Sequence, residues 1–120
     1  MPLSDRPTRL TSGMIVAALI RRVQALGGFA TVLRRGDDGA GALLVDCRHR
    51  DEAPVVLEYH TDFDGRGAWR TLALPAGDGS HDARLVDYVG RRARIDPDLW
   101  WIELDIADAP RLVVELTTTG

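Results

Sequence analysis

The middle of the chain alternates apolar and polar positions with the two-residue period of a β-strand. Leu43, Val45 and Cys47 fall on one face of such a strand, whereas Asp46 and Arg48 fall on the other. Similar short runs, rich in β-branched and aromatic residues, are separated by Gly, Asp and Pro. The pattern predicts four successive strands, at residues 29–35, 42–49, 54–60 and 67–74.

The connections between these runs are short and rich in residues that favour turns. Residues 36–41 contain three glycines and two aspartates, which is typical of a hairpin loop. Turns of this length force neighbouring strands to run antiparallel. A fifth strand is predicted at residues 99–106, followed by a turn and a short sixth strand at residues 112–116.

Two segments have the spacing of amphipathic helices. Residues 13–26 carry an apolar stripe through Ile15, Leu19 and Val23, and residues 83–94 carry one through Leu85 and Val89. The chain is therefore predicted to be an α+β domain, with an antiparallel meander sheet of five to six strands. Both helices are expected to pack mainly on one face, so that the polar face meets solvent or a partner.

Length and composition indicate one ordinary globular domain. With 120 residues the chain has a single core, and we expect residues 1–10 and 117–120 to be loosely ordered. A net charge of −3 provides no overall field that attracts nucleic acid or anionic lipid. The longest apolar run has seven residues, no signal-peptide pattern is visible, and a single cysteine excludes an internal disulfide. These features predict a protein of the bacterial cytoplasm.

Three segments resemble a bacterial family of about this length, the domain of unknown function numbered 1491. They are GMIVAALIRR at 13–22, RRGDDGAGALLV at 34–45 and DPDLWWIE at 96–103. The resemblance implies a compact α+β domain from a bacterial cytoplasm. It carries no activity and no catalytic residue.

No motif indicates catalysis or a cofactor. Every basic residue is Arg, which excludes chemistry that needs a lysine, and no serine has the context of a nucleophile elbow. Cys47 and His49, with His60, Asp62 and Asp64 after the next strand, contain the donor types of a zinc site. Their spacing matches no established zinc pattern, so we expect no catalytic residue, no metal and no cofactor.

Charged residues flank the first and fifth strands. If these strands pair, their ends would form a rim of guanidinium and carboxylate groups that could bind a small anion in two-point contacts. The alternative is that these groups only fix the connection before strand five. The residues of this predicted site are Arg34, Arg35, Asp37, Asp96, Asp98 and Glu103.

A second set of residues suggests a protein interface. The first half of helix one is apolar almost all round, and two adjacent tryptophans in one strand must face opposite sides of the sheet. Either an exposed Trp anchors a partner, or the termini or the long loop that begins at Ala76 cover it as a second layer. The predicted interface residues are Met14, Val16, Ile20, Trp69, Trp100 and Trp101.

The sequence therefore favours a non-catalytic domain that acts through protein contact or through self-association, for example as a homodimer. The first alternative is a binder of a small anionic metabolite, or an enzyme, that uses the rim. The second alternative is a nucleic-acid accessory protein that uses a basic strip on helix two, formed by Arg84, Arg91, Arg92 and Arg94.

Overall fold

The computed structural model describes residues 10–39, 41–61 and 66–118, which form three helices and five strands. The predicted loose start at 1–9, the end at 119–120, and the turn that contains Asp62 and Asp64 lie outside the described residues. The elements are α1 (Ser12–Ala25), β1 (Phe29–Arg34), β2 (Leu43–Arg48), β3 (Val55–Thr61), β4 (Gly67–Thr71), α2 (His81–Ile95), β5 (Trp100–Asp105) and α3 (Ala109–Thr118).

The first two helices begin and end where their capping residues predict. The Thr11 side chain accepts a hydrogen bond from the Met14 N–H, and Ser80 accepts one from Ala83 in the same way. α1 ends before Gly27, which takes a φ of 85° that other residues rarely adopt. Among the described residues, no helix is long and apolar enough to cross a membrane.

The sheet is mixed, and its strand order is β1-β5-β2-β3-β4. β2–β3 and β3–β4 are antiparallel hairpins, as predicted, and β1 pairs antiparallel with β5. β5, however, lies between β1 and β2 and runs parallel to β2. The prediction of a purely antiparallel meander was therefore wrong, because short turns constrain only the strands that they join.

The loop at residues 36–41 is a crossover rather than the predicted hairpin turn. It carries the chain from β1 past the start of β5 to β2, and the Asp37 N–H donates to the Asp98 carbonyl oxygen at 3.1 Å. A Cβ at Gly36 or Gly41 would lie 2.2 or 2.0 Å from that same oxygen. The glycines are needed because the backbone crosses β5 at contact distance.

The helices cover both faces of the sheet, which contradicts the prediction that they pack mainly on one. α1 and α3 pack on the face that carries Leu43, Val45 and Ile102, here called the apolar face. α2 packs through Leu85 and Val89 on the opposite face, here called the polar face. The polar side of the strand alternation is therefore covered by α2, and Leu44, Val56 and Leu99 complete a second core beneath it.

The predicted sixth strand is a helix. Residues 112–116 lie in α3, where Val113 is fully buried and Leu112 and Leu116 pack against the apolar core. Together with the buried Ala109, these positions follow the helical spacing of three and four. The helix also includes Thr117, which was expected to be loosely ordered and whose Oγ1 accepts from Trp69 Nε1 at 2.6 Å. The β-branched valines favoured a strand in the prediction, but strand propensity is weaker than packing.

Candidate functional site

Two carboxylates are buried between the sheet and α2. Asp46 on β2 is 1% exposed, and Glu58 on β3 is 2% exposed. The sequence predicted that both face solvent, and this is wrong because α2 covers them. A buried carboxylate is stable only with charged or hydrogen-bonding partners. Together with those partners they form what we call the polar layer: Asp46, Arg48, Glu58, Arg70, His81, Asp82 and Arg92.

Asp46 is held by Arg48 and His81. The Arg48 Nη2 atom lies 2.8 Å from Asp46 Oδ2 and also forms an ion pair with Asp82 in the first turn of α2. His81 Nε2 lies 3.2 Å from Asp46 Oδ1. The hydrogen bond from Arg48 lowers the pKa of Asp82, and the bond to Asp82, despite burial, raises the pKa of Arg48. This half of the polar layer joins β2 to the start of α2.

Glu58 is held by two arginines from different elements. Arg70 on β4 donates to Glu58 Oε1 at 2.6 Å, and Arg92 on α2 donates to Oε2 at 2.5 Å. Arg92 also donates to the Tyr88 hydroxyl at 2.9 Å. Burial alone would raise the pKa of Glu58, but the hydrogen bonds from Arg92 and Arg70 outweigh it and lower the pKa. This half of the layer joins β3 and β4 to the C-terminal half of α2.

The chemistry open to the polar layer is limited by its own cations. One group of possible metal ligands is found among the described residues. It consists of Asp46, His81 and Asp82, whose ligand atoms lie within 4.8 Å of one another. Arg48 contacts both of these carboxylates, so a metal ion would have to displace a guanidinium group. The set does not include Cys47, His49 or His60, from which the sequence suggested a zinc alternative.

The only cysteine is not placed for nucleophilic chemistry. Cys47 is buried in the core of the apolar face. Burial, and next the charge of Asp46, raise the pKa of its thiol to about 12. The reactive thiolate is therefore scarce at neutral pH.

A cavity of about 220 Å³ lies beside the polar layer, between the first turn of α2 and the adjoining ends of β3 and β4. Three polar side chains contribute to its wall: Thr71, His81 and Arg84. The other lining residues are Pro54, Val55, Val56, Leu72 and Leu74.

The structure brings together the two segments of the predicted rim, but not as ion pairs between them. Arg34 donates through Nη2 to the Pro97 carbonyl oxygen at 3.2 Å, and Arg35 pairs with Asp38 at 3.3 Å. Within the described residues, neither arginine forms an ion pair with Asp96 or Asp98.

The remaining members of the rim have separate roles. Asp37 accepts from the Gly39 N–H at 3.0 Å and thereby shapes the crossover loop. Asp96 is the C-terminal capping residue of α2. Glu103 lies along β5, where its carboxylate is 3.4 Å from Arg48 Nε. The ligand-binding role assigned to these residues remains a prediction.

The predicted interface residues are distributed between core and surface. Val16 and Trp100 are buried in the apolar core, and Ile20 and Trp69 pack against it. Trp101 packs against the second core, beneath α2, so the two adjacent tryptophans do face opposite sides. Met14 is exposed. The layer that covers Trp101 is α2, whereas the sequence offered the termini or the loop from Ala76; Thr117, near the C-terminus, does contact Trp69.

The predicted basic strip of α2 is divided by the fold. Arg92 points inward to Glu58, and Arg91 pairs with Asp87 at 3.2 Å on the outer surface. Arg94 is exposed and Arg84 lines the cavity. Binding of nucleic acid by this helix remains a prediction.

Sequence reasoning missed the polar layer, although a signal for it was present. The supposedly solvent-facing side of the strands also carries large apolar residues, namely Leu44, Val56 and Trp101. Such residues on both faces indicate a sheet that is covered on both sides. An amphipathic helix rich in arginine was available to cover the acidic face.

Three solved structures resemble this chain along most of its length. A crystal structure of a DUF1491 family protein from Caulobacter crescentus CB15 is 38% identical, covers 83% of this chain and 91% of its own, and has a TM-score of 0.67. An NMR structure of a DUF1491 family protein from the same organism is 38% identical, with coverages of 86% and 91% and a TM-score of 0.68. The solution structure of protein Atu0922 from A. tumefaciens is 30% identical, with coverages of 84% and 89% and a TM-score of 0.66.

No curated protein matches this sequence. The family model described as "Protein of unknown function (DUF1491)" matches residues 10–114, which include the crossover loop, the polar layer and most of α3. The chain therefore belongs to the DUF1491 family, for which no activity is assigned.

Proposed function

We propose that this protein is a small, non-catalytic bacterial domain that acts through protein contact, and that it pairs with a second copy of itself along the outer edge of β1. The observation that supports this most directly is the exposure of Phe29, which is 74% accessible on that strand. β1 is the first strand of the sheet, and no strand within the described residues pairs with its outer side.

The outer edge of β1 lacks the charges that usually prevent edge-to-edge pairing. Val32 and Leu33 are also exposed, and the first charged side chain of the strand is Arg34, its last residue. An edge strand with free backbone groups and exposed apolar side chains is a template for another strand. At the other edge of the sheet, β4 carries the charged Arg70 near its centre.

The strand is complementary to itself when it pairs antiparallel about a two-fold axis. A two-fold axis perpendicular to the sheet leaves each side chain on the same face of the extended sheet. Residues that lie opposite one another must share a face, so the axis has to pass through one residue position, and that residue lies opposite its own copy. With Thr31 on the axis, Phe29 lies opposite Leu33 of the second copy, and Ala30 lies opposite Val32. This register pairs the exposed Phe29 with the exposed Leu33, and the exposed Val32 with the half-buried Ala30. Apolar cross-strand pairs of this kind stabilise a sheet.

The dimer is expected to be concentration-dependent. The register of β1 against β5 shifts between Val32 and Arg34, so the regular part of the strand is short. An interface built on one short strand pair buries less than the roughly 800 Å² per partner of a stable complex.

Sedimentation equilibrium tests the proposal with two matched variants. The wild-type mass is expected to rise with concentration from the monomer value of 13.2 kDa towards twice that value. Phe29→Glu should remain at the monomer mass, because in this register it places a carboxylate opposite Leu33 of the second copy and removes the apolar contact. Ile95→Glu, at an equally exposed apolar residue on α2, should behave like the wild type.

Two results would contradict self-association. One is a wild-type mass of 13.2 kDa at every concentration, and the other is a Phe29→Glu variant that dimerises as strongly as Ile95→Glu. The proposal also places the domain in the cytoplasm, which its single, buried cysteine supports. An anion site at the rim has less support, because Arg35 is paired with the exposed Asp38 and Arg34 donates through Nη2 to the Pro97 carbonyl oxygen, although the buried Arg34 Nε has no partner among the described residues.

A further inference from the structure

Arg84 holds a buried donor that has no acceptor. Its Nε atom is inaccessible to solvent, and no hydrogen-bond partner for it exists among the described residues. Buried N–H groups in folded proteins are almost always paired, with protein, with water or with a ligand. Arg84 also lines the cavity beside α2, so an acceptor that enters the cavity meets the side chain that carries this donor.

Other cations near the cavity are occupied. Arg48 is bound to Asp46 and Asp82, and Arg92 is bound to Glu58. The cation that remains available on the cavity wall is therefore Arg84. The N-terminal end of α2, which carries a partial positive charge, lies at the same wall.

The opposite wall of the cavity is apolar. Val56 is buried, and Leu72 and Leu74 are half-buried around it. A dry cavity of about 150 Å³ is known to hold a ligand as large as benzene. At about 220 Å³, this cavity has room for a short hydrocarbon group beside a charged one.

We propose that this cavity binds a small organic monocarboxylate, with its carboxylate on the Arg84 guanidinium and its short apolar tail against Val56, Leu72 and Leu74. Arg is suited to this role because its planar donors contact a carboxylate at two points. The site does not depend on the dimer proposed above, since β3 and β4 lie at the end of the sheet opposite to β1.

An NMR titration of the ¹⁵N-labelled protein tests the site directly through the Arg84 Nε–H signal. Isovalerate is the probe, isovaleramide has the same tail without the charge, and acetate has the charge without the tail. We expect isovalerate to shift the Arg84 Nε–H signal downfield and to saturate at a Kd of about 1 mM, as suits so small a ligand. Isovaleramide and acetate should each bind at least about tenfold more weakly.

Two variants of α2 separate the site from general attraction of anions. Arg84→Met keeps the length of the apolar stem and removes the charge, and its backbone signals near the cavity should no longer shift with isovalerate. Arg91→Met removes a charge on the outer surface of the same helix and should bind isovalerate as the wild type does. The dispersion of each amide spectrum shows whether the variant is folded.

Two outcomes would overturn the proposal. If isovalerate leaves the Arg84 Nε–H signal unchanged, the carboxylate does not bind at this guanidinium group. If acetate and isovalerate cause equal shifts that Arg91→Met weakens as much as Arg84→Met, the attraction is a property of the helix surface. Neither outcome would bear on self-association through β1.

Discussion

The two faces of the sheet are covered by helices in different ways. On the apolar face, α1 and α3 bury aliphatic side chains such as Leu19, Ile102 and Val113, all fully inaccessible. On the polar face, α2 buries two carboxylates, Asp46 and Glu58, whose arginine partners are half-buried or exposed. One face is held by removing apolar surface from water, and the other also needs specific pairs of charges.

The difference lies in how precisely each face fixes its helix. Apolar burial has no direction, so several positions of a helix on the sheet would bury similar areas. The ion pairs are directional: Arg92 reaches Glu58, and Asp82 reaches Arg48, only when α2 lies at one position along the sheet. Because a buried ion pair roughly balances its own desolvation cost, we infer that the polar layer positions α2 more than it stabilises the fold.

The largest effect is expected on the apolar face. Ile102→Ala should lower the free energy of unfolding by about 4 kcal/mol, because it leaves a cavity in a fully buried site. Ile95→Ala removes the same atoms from a side chain that is 86% exposed and should change stability by less than about 0.5 kcal/mol. Urea unfolding followed by Trp fluorescence measures both. Equal losses in the two variants would contradict the core described here.

A loss of about 3 kcal/mol is expected when one partner of the polar layer is removed. Glu58→Gln keeps the shape of the side chain but leaves Arg92 half-buried without its anion. Glu115→Gln, at an exposed ion pair on α3, should cost less than about 1 kcal/mol. The same urea experiment applies. A Glu58→Gln variant as stable as Glu115→Gln would show that the buried pair does not constrain α2.

The smallest effect is the pH dependence that distinguishes the two faces. Because hydrogen bonds from Arg92 and Arg70 lower the folded-state pKa of Glu58, its ionised form stabilises the fold above the ordinary carboxyl value of 4.5. This stabilisation should disappear as the pH falls below 4.5 and through the folded-state pKa. The difference in unfolding free energy between wild type and Glu58→Gln should therefore shrink on acidification.

The Ile102→Ala variant provides the control for that measurement. An apolar side chain does not titrate, so its loss of stability relative to the wild type should remain constant over the same pH range. A difference between wild type and Glu58→Gln that stays constant below pH 4.5 would mean that Glu58 is not held ionised by its arginines.

Local patterns predict the right type for seven of the eight elements found in the described residues, with bounds within a few residues. The exception is α3, where Val113 and Val114 favour a strand by propensity while the spacing of Ala109, Leu112 and Leu116 is helical. The two signals conflicted over a short segment, and contact with the apolar core decided the outcome. The pairing of β5 with β1 was also anticipated, as the condition for the charged rim.

Much less of the candidate site could be predicted from the sequence. Asp46 and Glu58 occupy the polar positions of their strands, and the alternation of polar and apolar residues alone predicts that such side chains face solvent. Their partners lie up to 35 residues away, since His81 reaches Asp46 and Arg92 reaches Glu58 only through the packing of α2. The buried Nε of Arg84 likewise exists only because the helix closes one side of a cavity.

Local patterns specify all the strands and helices except α3, because hydrophobic period, caps and turn residues act over a few neighbouring positions. Long-range packing sets β5 between β1 and β2 and places α2 over the polar face. Those choices depend on contacts between distant segments, such as Gly36 and Gly41 against the Asp98 carbonyl oxygen. The pattern along the sequence indicates the secondary structure and burial that each residue favours. It does not indicate which distant residue each one contacts in the folded chain.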